Sequence, residues 1–200
     1  GLKPEFLPVQ LAAAVAISKG NYSSIVSTWG IVPFLWVNGP IARQLGIVAS
    51  ESGLINRGPN PALGRALTLL YQNIMGLAPG VNYMGTFGYF SRGFAFAEDE
   101  EGAVGMGWQP FHVEKQGLAL NTSTVTMGTT VNYGPQTTLP FSEHPEEMGK
   151  NVAIRVADTV SQYLAQYCMF KTKGSQFTIM MSRTSAATFA NAGWSKEETR

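Results

Sequence analysis

The stretch from Phe34 to Asn73 constrains this chain more than any other. A β-rich apolar run, Ile31 to Val37, meets an Asn38-Gly39-Pro40 turn, and Gly58-Pro59-Asn60-Pro61 then opens an amphipathic segment. The run is apolar at successive positions, which predicts a strand covered on both faces. Pro33 removes one ladder donor from it. Pro40 to Leu45 is expected as a short helix stopped by Gly46. Pro61 to Met75 carries helix punctuation: Asn60 as N-cap, Pro61 at the first helical position, and Gly76 as the left-handed residue past the end. Leu63, Leu67, Leu70 and Ile74 recur at helical spacing and are expected to form its core stripe.

Elsewhere, Pro4 and Pro8 suit a first helical turn, and Val9, Ala12, Ala13 and Ala16 continue the spacing to Gly20. Phe94 to Ala97 reads as a strand running into Glu98-Asp99-Glu100-Glu101. Gly102 to Gly107 reads as a loop, and Trp108 to Glu114 as a short strand or extended segment. Ser123 to Val131 predicts a strand with Val125, Met127, Thr129 and Val131 on one face. Pro145 to Phe170 is expected to be a long helix, Phe177 to Met181 a strand, and the region of Ala186 to Ala192 a helix. In Gly193-Trp194-Ser195-Lys196-Glu197-Glu198, a C-cap glycine precedes a serine N-cap with glutamates in the first turn. Helices that interleave with apolar strands favour a layered α/β domain with a mixed, mostly parallel sheet covered by helices. Residues 1–200 read as a single domain, a fragment or subunit of a longer protein or hetero-oligomer.

Apolar residues make up 44% of the 200, enough for one substantial core, while charged residues are only 14% against about 25% in a typical soluble chain. So little charge is the reason to expect surface covered in a homo- or hetero-oligomer. The net charge is +1 with no long Lys/Arg run, which leaves no electrostatic footprint for nucleic acid. The one cysteine, Cys168, excludes an intrachain disulfide and a thiolate zinc site. No apolar run reaches the roughly 18 residues of a membrane helix, so no membrane partner and a cytoplasmic location are expected.

Two groups of residues carry candidate chemistry. In open α/β sheets, ligands gather beyond the carboxyl ends of strands, where helix N-termini present free amides. Asn38, Gly39 and Asn60 mark two such entries, and Arg43, Arg57 and Arg65 offer forked donors for a carboxylate or phosphate. These residues are the expected substrate-binding set, unless the turns are only turns and the arginines pair with the Glu98 to Glu101 run. The second group is that acidic run with His112 and Glu114. On a strand His112 and Glu114 would share a face, giving a proton-transfer pair or, with more ligands, a divalent metal site. The plainer alternative is a solvated charge run. His144 reads as a helix-start residue, Cys168 as a buried structural thiol, and Ser123, Thr124 and Thr126 as strand residues without a base.

Several segments together resemble the uncharacterised bacterial UGSC-type (seleno)protein family. They are Leu2 to Val9, Val37-Asn38-Gly39-Pro40-Ile41, Leu45-Gly46-Ile47, Gly58-Pro59-Asn60, Gly64-Arg65-Ala66-Leu67, Ala97 to Glu101, Phe111-His112-Val113-Glu114, Ser123 to Thr126 and Gly193-Trp194-Ser195-Lys196. The resemblance implies a bacterial, cytoplasmic α/β protein associated with a Cys- or Sec-bearing module. Such a module is missing from this chain, and Thr129 to Thr138 departs from the family pattern. Taken together, the expectation is part of an enzyme acting on a small polar or anionic organic molecule, linked to thiol or redox chemistry through that separate module. The alternative is a non-catalytic structural or binding subunit.

Overall fold

The computed structural model describes residues 1–20, 32–49, 58–83, 93–130, 142–154 and 180–199. A 3-10 turn, Pro4–Phe6, leads into α1 (Leu7–Lys19), β1 (Val32–Asn38), α2 (Pro40–Gln44), α3 (Asn60–Met75), β2 (Phe94–Ala97), α4 (Glu100–Gly105), α5 (Phe111–Gln116) and β3 (Thr124–Thr130). A further helix, α6, covers 145–154, and α7 spans Arg183–Asn191. The chain divides into two compact units: Gly1–Val104 with Gln109–Asn132, and Gly105–Trp108 with Tyr133–Arg200.

In the first unit the strand order is β2-β1-β3. β1 runs parallel to β2, with Phe34 opposite Phe94 and Val37 opposite Ala97. It runs antiparallel to β3, with Asn38 opposite Thr124 and Trp36 opposite Thr126. The apolar run is therefore a central strand, as its patterning required, and the sheet is mixed. Among the described strands one pair is parallel and one antiparallel, so a mostly parallel sheet is not what they form.

Strand alternation sorts the side chains. Leu35, Val37, Ala95, Ala97 and Met127 join Val9, Ala13 and Ile17 of α1 and Leu63, Leu67 and Tyr71 of α3 in one core. The stripe of α3 differs from the expected one: Gly64, Thr68 and Tyr71 are buried, whereas Ile74 is 41% exposed. The shift follows from the close approach of α3 to the start of β2. Thr68 Oγ1 donates to the Gly64 carbonyl at 3.0 Å and accepts from the Gly93 amide at 2.6 Å, so the polar groups at this contact are satisfied. On the other sheet face, Phe34 stacks on Phe94 with centroids 5.6 Å apart, and Trp36 meets Phe111 of α5 at 4.4 Å.

Two segments differ from their expected conformation. Glu100 to Gly105 is the short helix α4, not a loop, with Asp99 accepting from the Gly102 amide at 3.1 Å across its first turn. Phe111 to Gln116 is helical, not extended. Pro110 at its N-cap has extended backbone, and Gly117 closes it at φ 65°. That proline-to-glycine bracket decides the matter over the β-branched Val113.

The second unit is described by α6 and α7 with their flanks. Met148 and Phe189 are buried, and the Phe189 ring lies 5.5 Å from that of Trp194. Trp108 Nε1 donates to the Trp194 carbonyl at 3.1 Å. Ser195 and Glu198 form the expected capping box: Glu198 Oε2 accepts from the Ser195 amide at 2.7 Å, and Ser195 Oγ accepts from the Glu198 amide at 3.2 Å. The Ser195 amide, then its hydroxyl, hold the Glu198 carboxyl below its ordinary range. A lowered carboxyl favours the folded turn above the ordinary carboxylate range, and that contribution is lost as pH falls through the folded value. Cys168, Arg57, Val131 and residues 155–179 of the expected long helix and last strand lie outside the described residues. No helix among the described residues is long and apolar enough to cross a membrane.

Candidate metal centre at the strand ends

The parallel strands β1 and β2 end side by side, at Asn38 and Ala97, and the chain continues from them into Gly39 and Glu98. Gly39 has φ 82° and ψ −173°, a region essentially closed to side-chain-bearing residues. An added Cβ there would lie 2.7 Å from Ser123 Cα and closer still to the Thr122 carbonyl. The glycine is thus demanded by both backbone angle and space. Its amide donates to Glu100 Oε1 at 2.6 Å.

Asn38 is fully buried. Its Nδ2 donates to Glu98 Oε2 at 2.7 Å and to Glu100 Oε1 at 2.9 Å, and the Phe111 amide donates to Glu98 Oε2 at 2.8 Å. One amide side chain and two backbone amides therefore draw two carboxylates together. His112, also fully buried, stands with Nδ1 3.7 Å from Glu100 Oε1. That exceeds hydrogen-bond range, and neither ring nitrogen has a hydrogen-bond partner among the described residues. One donor atom each from Glu98, Glu100 and His112 lies within 4.8 Å of the others.

This arrangement redistributes the residues expected from sequence. Asn38, Gly39 and His112 all lie around Glu100, and the donors of Asn38 and Gly39 are already spent on the chain's own carboxylates. Glu114 makes no hydrogen bond to the His112 ring, and the shared strand face expected for the two is not what forms. The expectation rested on strand alternation, and in the helix α5 residues two apart point to different sides. Glu114 lies 3.8 Å from Lys115, and a Glu100 oxygen stands 3.7 Å from His112 Nδ1. Arg43 pairs with Glu101 at the surface, so the alternative reading of the arginines holds for it. Arg65 is exposed on α3.

Asn60 has a structural occupation. Its Oδ1 accepts from the Val48 amide at 2.9 Å, its Nδ2 donates to the Val48 carbonyl at 3.0 Å, and that carbonyl also accepts from the Ala97 amide at 3.2 Å. The helix start of α3 is thereby tied to the residue preceding Glu98. Beside the cluster lies a pocket of about 130 Å³, lined by Ala42, Arg43, Ile47, Ala49, Ala97 and the carboxylates of Glu98 to Glu101.

Sequence reading set aside Thr124 and Thr126 for want of a base. Both hydroxyl oxygens are buried without a partner among the described residues, as are Trp36 Nε1 and Asn38 Oδ1. Strand register places these four residues on one sheet face, in directly opposed pairs. Thr126→Val keeps the branched shape while removing an unsatisfied oxygen. It is expected to raise the free energy of unfolding by about 1 kcal/mol. Urea denaturation measures this, and a loss of stability would show that the hydroxyl has a partner in solution.

The fold and cluster together define an α/β chain with a buried carboxylate–histidine centre at the ends of parallel strands. No family model, curated protein or solved structure matches the chain.

Proposed function

We propose that the chain is the substrate-handling part of an enzyme acting on a small polar organic molecule, and that its centre holds a divalent metal ion between Glu98, Glu100 and His112. The observation that carries this reading is His112: a fully buried imidazole with two unpartnered nitrogens, set 3.7 Å from a carboxylate that itself adjoins another. Unpaired buried nitrogens and converging carboxylates are each costly alone, and one cation would satisfy both. One ligand atom from each of the three residues lies within 4.8 Å of the others, and an ion at about 2.1 Å from each would draw them closer together. One nitrogen with two carboxylate oxygens suits Mn²⁺, Fe²⁺ or Zn²⁺.

A bound ion would supply Lewis acidity or an activated water, while Asn38 and the amides of Gly39 and Phe111 hold the carboxylate ligands in place. Proton transfer would fall to the Glu98 and Glu100 carboxylates. The layered α/β arrangement expected for the whole chain would place this centre where such sheets carry ligands. The UGSC resemblance supports a thiol-bearing partner module, and the exposed α1 residues Leu7, Leu11 and Val15, at 58%, 58% and 50% exposure, support contact with another chain. Spaced four apart, they lie along one stripe.

Native mass spectrometry with elemental analysis tests the reading and reports assembly at once. The chain equilibrated with Mn²⁺ or Zn²⁺ is expected to hold one ion. His112→Ala and Glu100→Gln should each weaken binding by about tenfold or more, while Glu101→Gln should not. Binding that ignores both first substitutions would remove the ion from this site.

A further inference from the structure

The carboxamide of Asn38 is satisfied at one end only. Nδ2 donates to Glu98 Oε2 at 2.7 Å and to Glu100 Oε1 at 2.9 Å, while Oδ1, in a fully buried residue, has no hydrogen-bond partner. Both acceptors of Nδ2 are doubly served. Glu100 Oε1 also accepts from the Gly39 amide at 2.6 Å, and Glu98 Oε2 from the Phe111 amide at 2.8 Å. Without Nδ2, each of these oxygens would keep a backbone donor. Thr124, directly opposite Asn38 in the antiparallel register of β1 and β3, carries another buried oxygen without a partner. Side chains opposed in this way have Cβ atoms about 4.5–5.5 Å apart, close enough for an amide and a hydroxyl to meet.

We infer that Asn38 is itself a ligand of the ion: when the centre is occupied, its carboxamide turns over and Oδ1 takes the place of Nδ2 beside the two carboxylates. The inference rests on the metal-centre reading above. Oxygen ligands at right angles, each about 2.1 Å from an ion, stand about 3.0 Å from one another. The place held by Nδ2 lies 2.7 Å and 2.9 Å from two carboxylate oxygens, which is close to that spacing. The exchange of ends follows from the donor chemistry. An amide NH2 presents hydrogens to a cation, whereas the carbonyl oxygen presents lone pairs. The two ends are nearly equal in size, so the turn displaces no neighbour. It brings Nδ2 to the side where Oδ1 stood unpartnered, and Thr124 Oγ1 accepts from it. Asn38 then gathers Glu98 and Glu100 in the empty centre, and the Gly39 and Phe111 amides hold them in both states.

Crystals of the full chain grown with Mn²⁺, with the ion located by its anomalous scattering, test this. An Asn38 side-chain atom is expected about 2.1 Å from an ion that lies between Glu98, Glu100 and His112. Calorimetric titration with Mn²⁺ gives the counterpart in solution. Asn38→Ala should weaken binding by about tenfold or more, as the loss of a ligand. Thr124→Val should weaken it by about fivefold, the worth of one neutral hydrogen bond, because the displaced NH2 loses its acceptor. The same variant in chelator should unfold at the urea concentration of the original chain or above it, since an unpartnered buried oxygen has been removed. A general loss of structure would lower both quantities, so the opposed signs identify a role confined to the occupied centre. An ion between the three residues, with Asn38 still hydrogen-bonded to Glu98 and Glu100, would overturn this inference and leave the metal centre standing. Unchanged Mn²⁺ affinity in Thr124→Val would overturn it too. No ion at these residues would remove the metal centre and the role of Asn38 together.

Discussion

Gly64→Ala is expected to cost about 3 kcal/mol or more of unfolding free energy, although alanine is the better helix former by about 1 kcal/mol. A Cβ at this position would stand 2.9 Å from both Gly93 C and Phe94 Cα, and closer still to the Gly93 carbonyl oxygen. All three are backbone atoms, so no side-chain rotation relieves the overlap. Either α3 lifts from β2 or the strand moves. Lifting the helix separates Leu63, Leu67 and Tyr71 from the core, and it pulls on the hydrogen bond between Thr68 and Gly93. Gly76→Ala is the appropriate comparison. Gly76 has φ 64° but open space where a side chain would go, so only the left-handed backbone penalty of about 1–2 kcal/mol applies. Urea denaturation of both variants separates packing from conformational preference. A Gly64→Ala chain as stable as the original would mean that helix and strand do not approach this closely.

Asn38→Asp should be nearly as damaging in the presence of a chelator and largely harmless with Mn²⁺. The substitution changes shape very little, but it converts the amide that draws Glu98 and Glu100 together into a third buried acid. The two hydrogen bonds from Nδ2 are lost, and uncompensated charge is added in a site with no exposure to water. Together these are worth about 3–5 kcal/mol. A divalent ion reverses the sign of the argument, because the new carboxylate becomes a further oxygen ligand. Thermal unfolding should therefore show a low midpoint in chelator that climbs steeply with Mn²⁺ concentration, more steeply than in the original chain. Asn38→Ala should lose the same hydrogen bonds without regaining stability from the ion. An Asn38→Asp chain that is stable in chelator and unresponsive to Mn²⁺ would be incompatible with the centre described.

How much of this was legible in the sequence depends on how local each signal is. The C-terminal end of α3 was readable because Gly76 acts through its own backbone angle, but the helix starts one residue earlier than expected, with Pro59 at the N-cap and Asn60, whose side chain is bound to Val48, already helical. The central place of β1 was readable because Val32 to Val37 is apolar on both faces. The strand expected around His112 was misjudged because Phe111-His112-Val113-Glu114 alternates like a strand. The deciding signal, Pro110 and Gly117, lay at its two ends. Glycines 102, 105 and 107 concealed α4 in the same way. The site was less legible still. Asn38 and Gly39 were found through the turn they make, but their partner Glu100 lies far along the chain and could have been any member of the acidic run. Asn60 was assigned to a ligand because its bonds go to the backbone of Val48, and no side-chain pattern reports a backbone partner.

The Asn60 clamp also bears on how the centre could be adjusted over evolutionary time. Helix α3 grips Val48, Val48 grips Ala97, and the next residue is Glu98. A small slide of the helix would consequently be handed on to Glu98 through the Asn60 amide and the backbone bond between Val48 and Ala97. Remote packing changes beneath α3 would then shift the geometry of the Glu98, Glu100 and His112 cluster while each of those residues kept its identity.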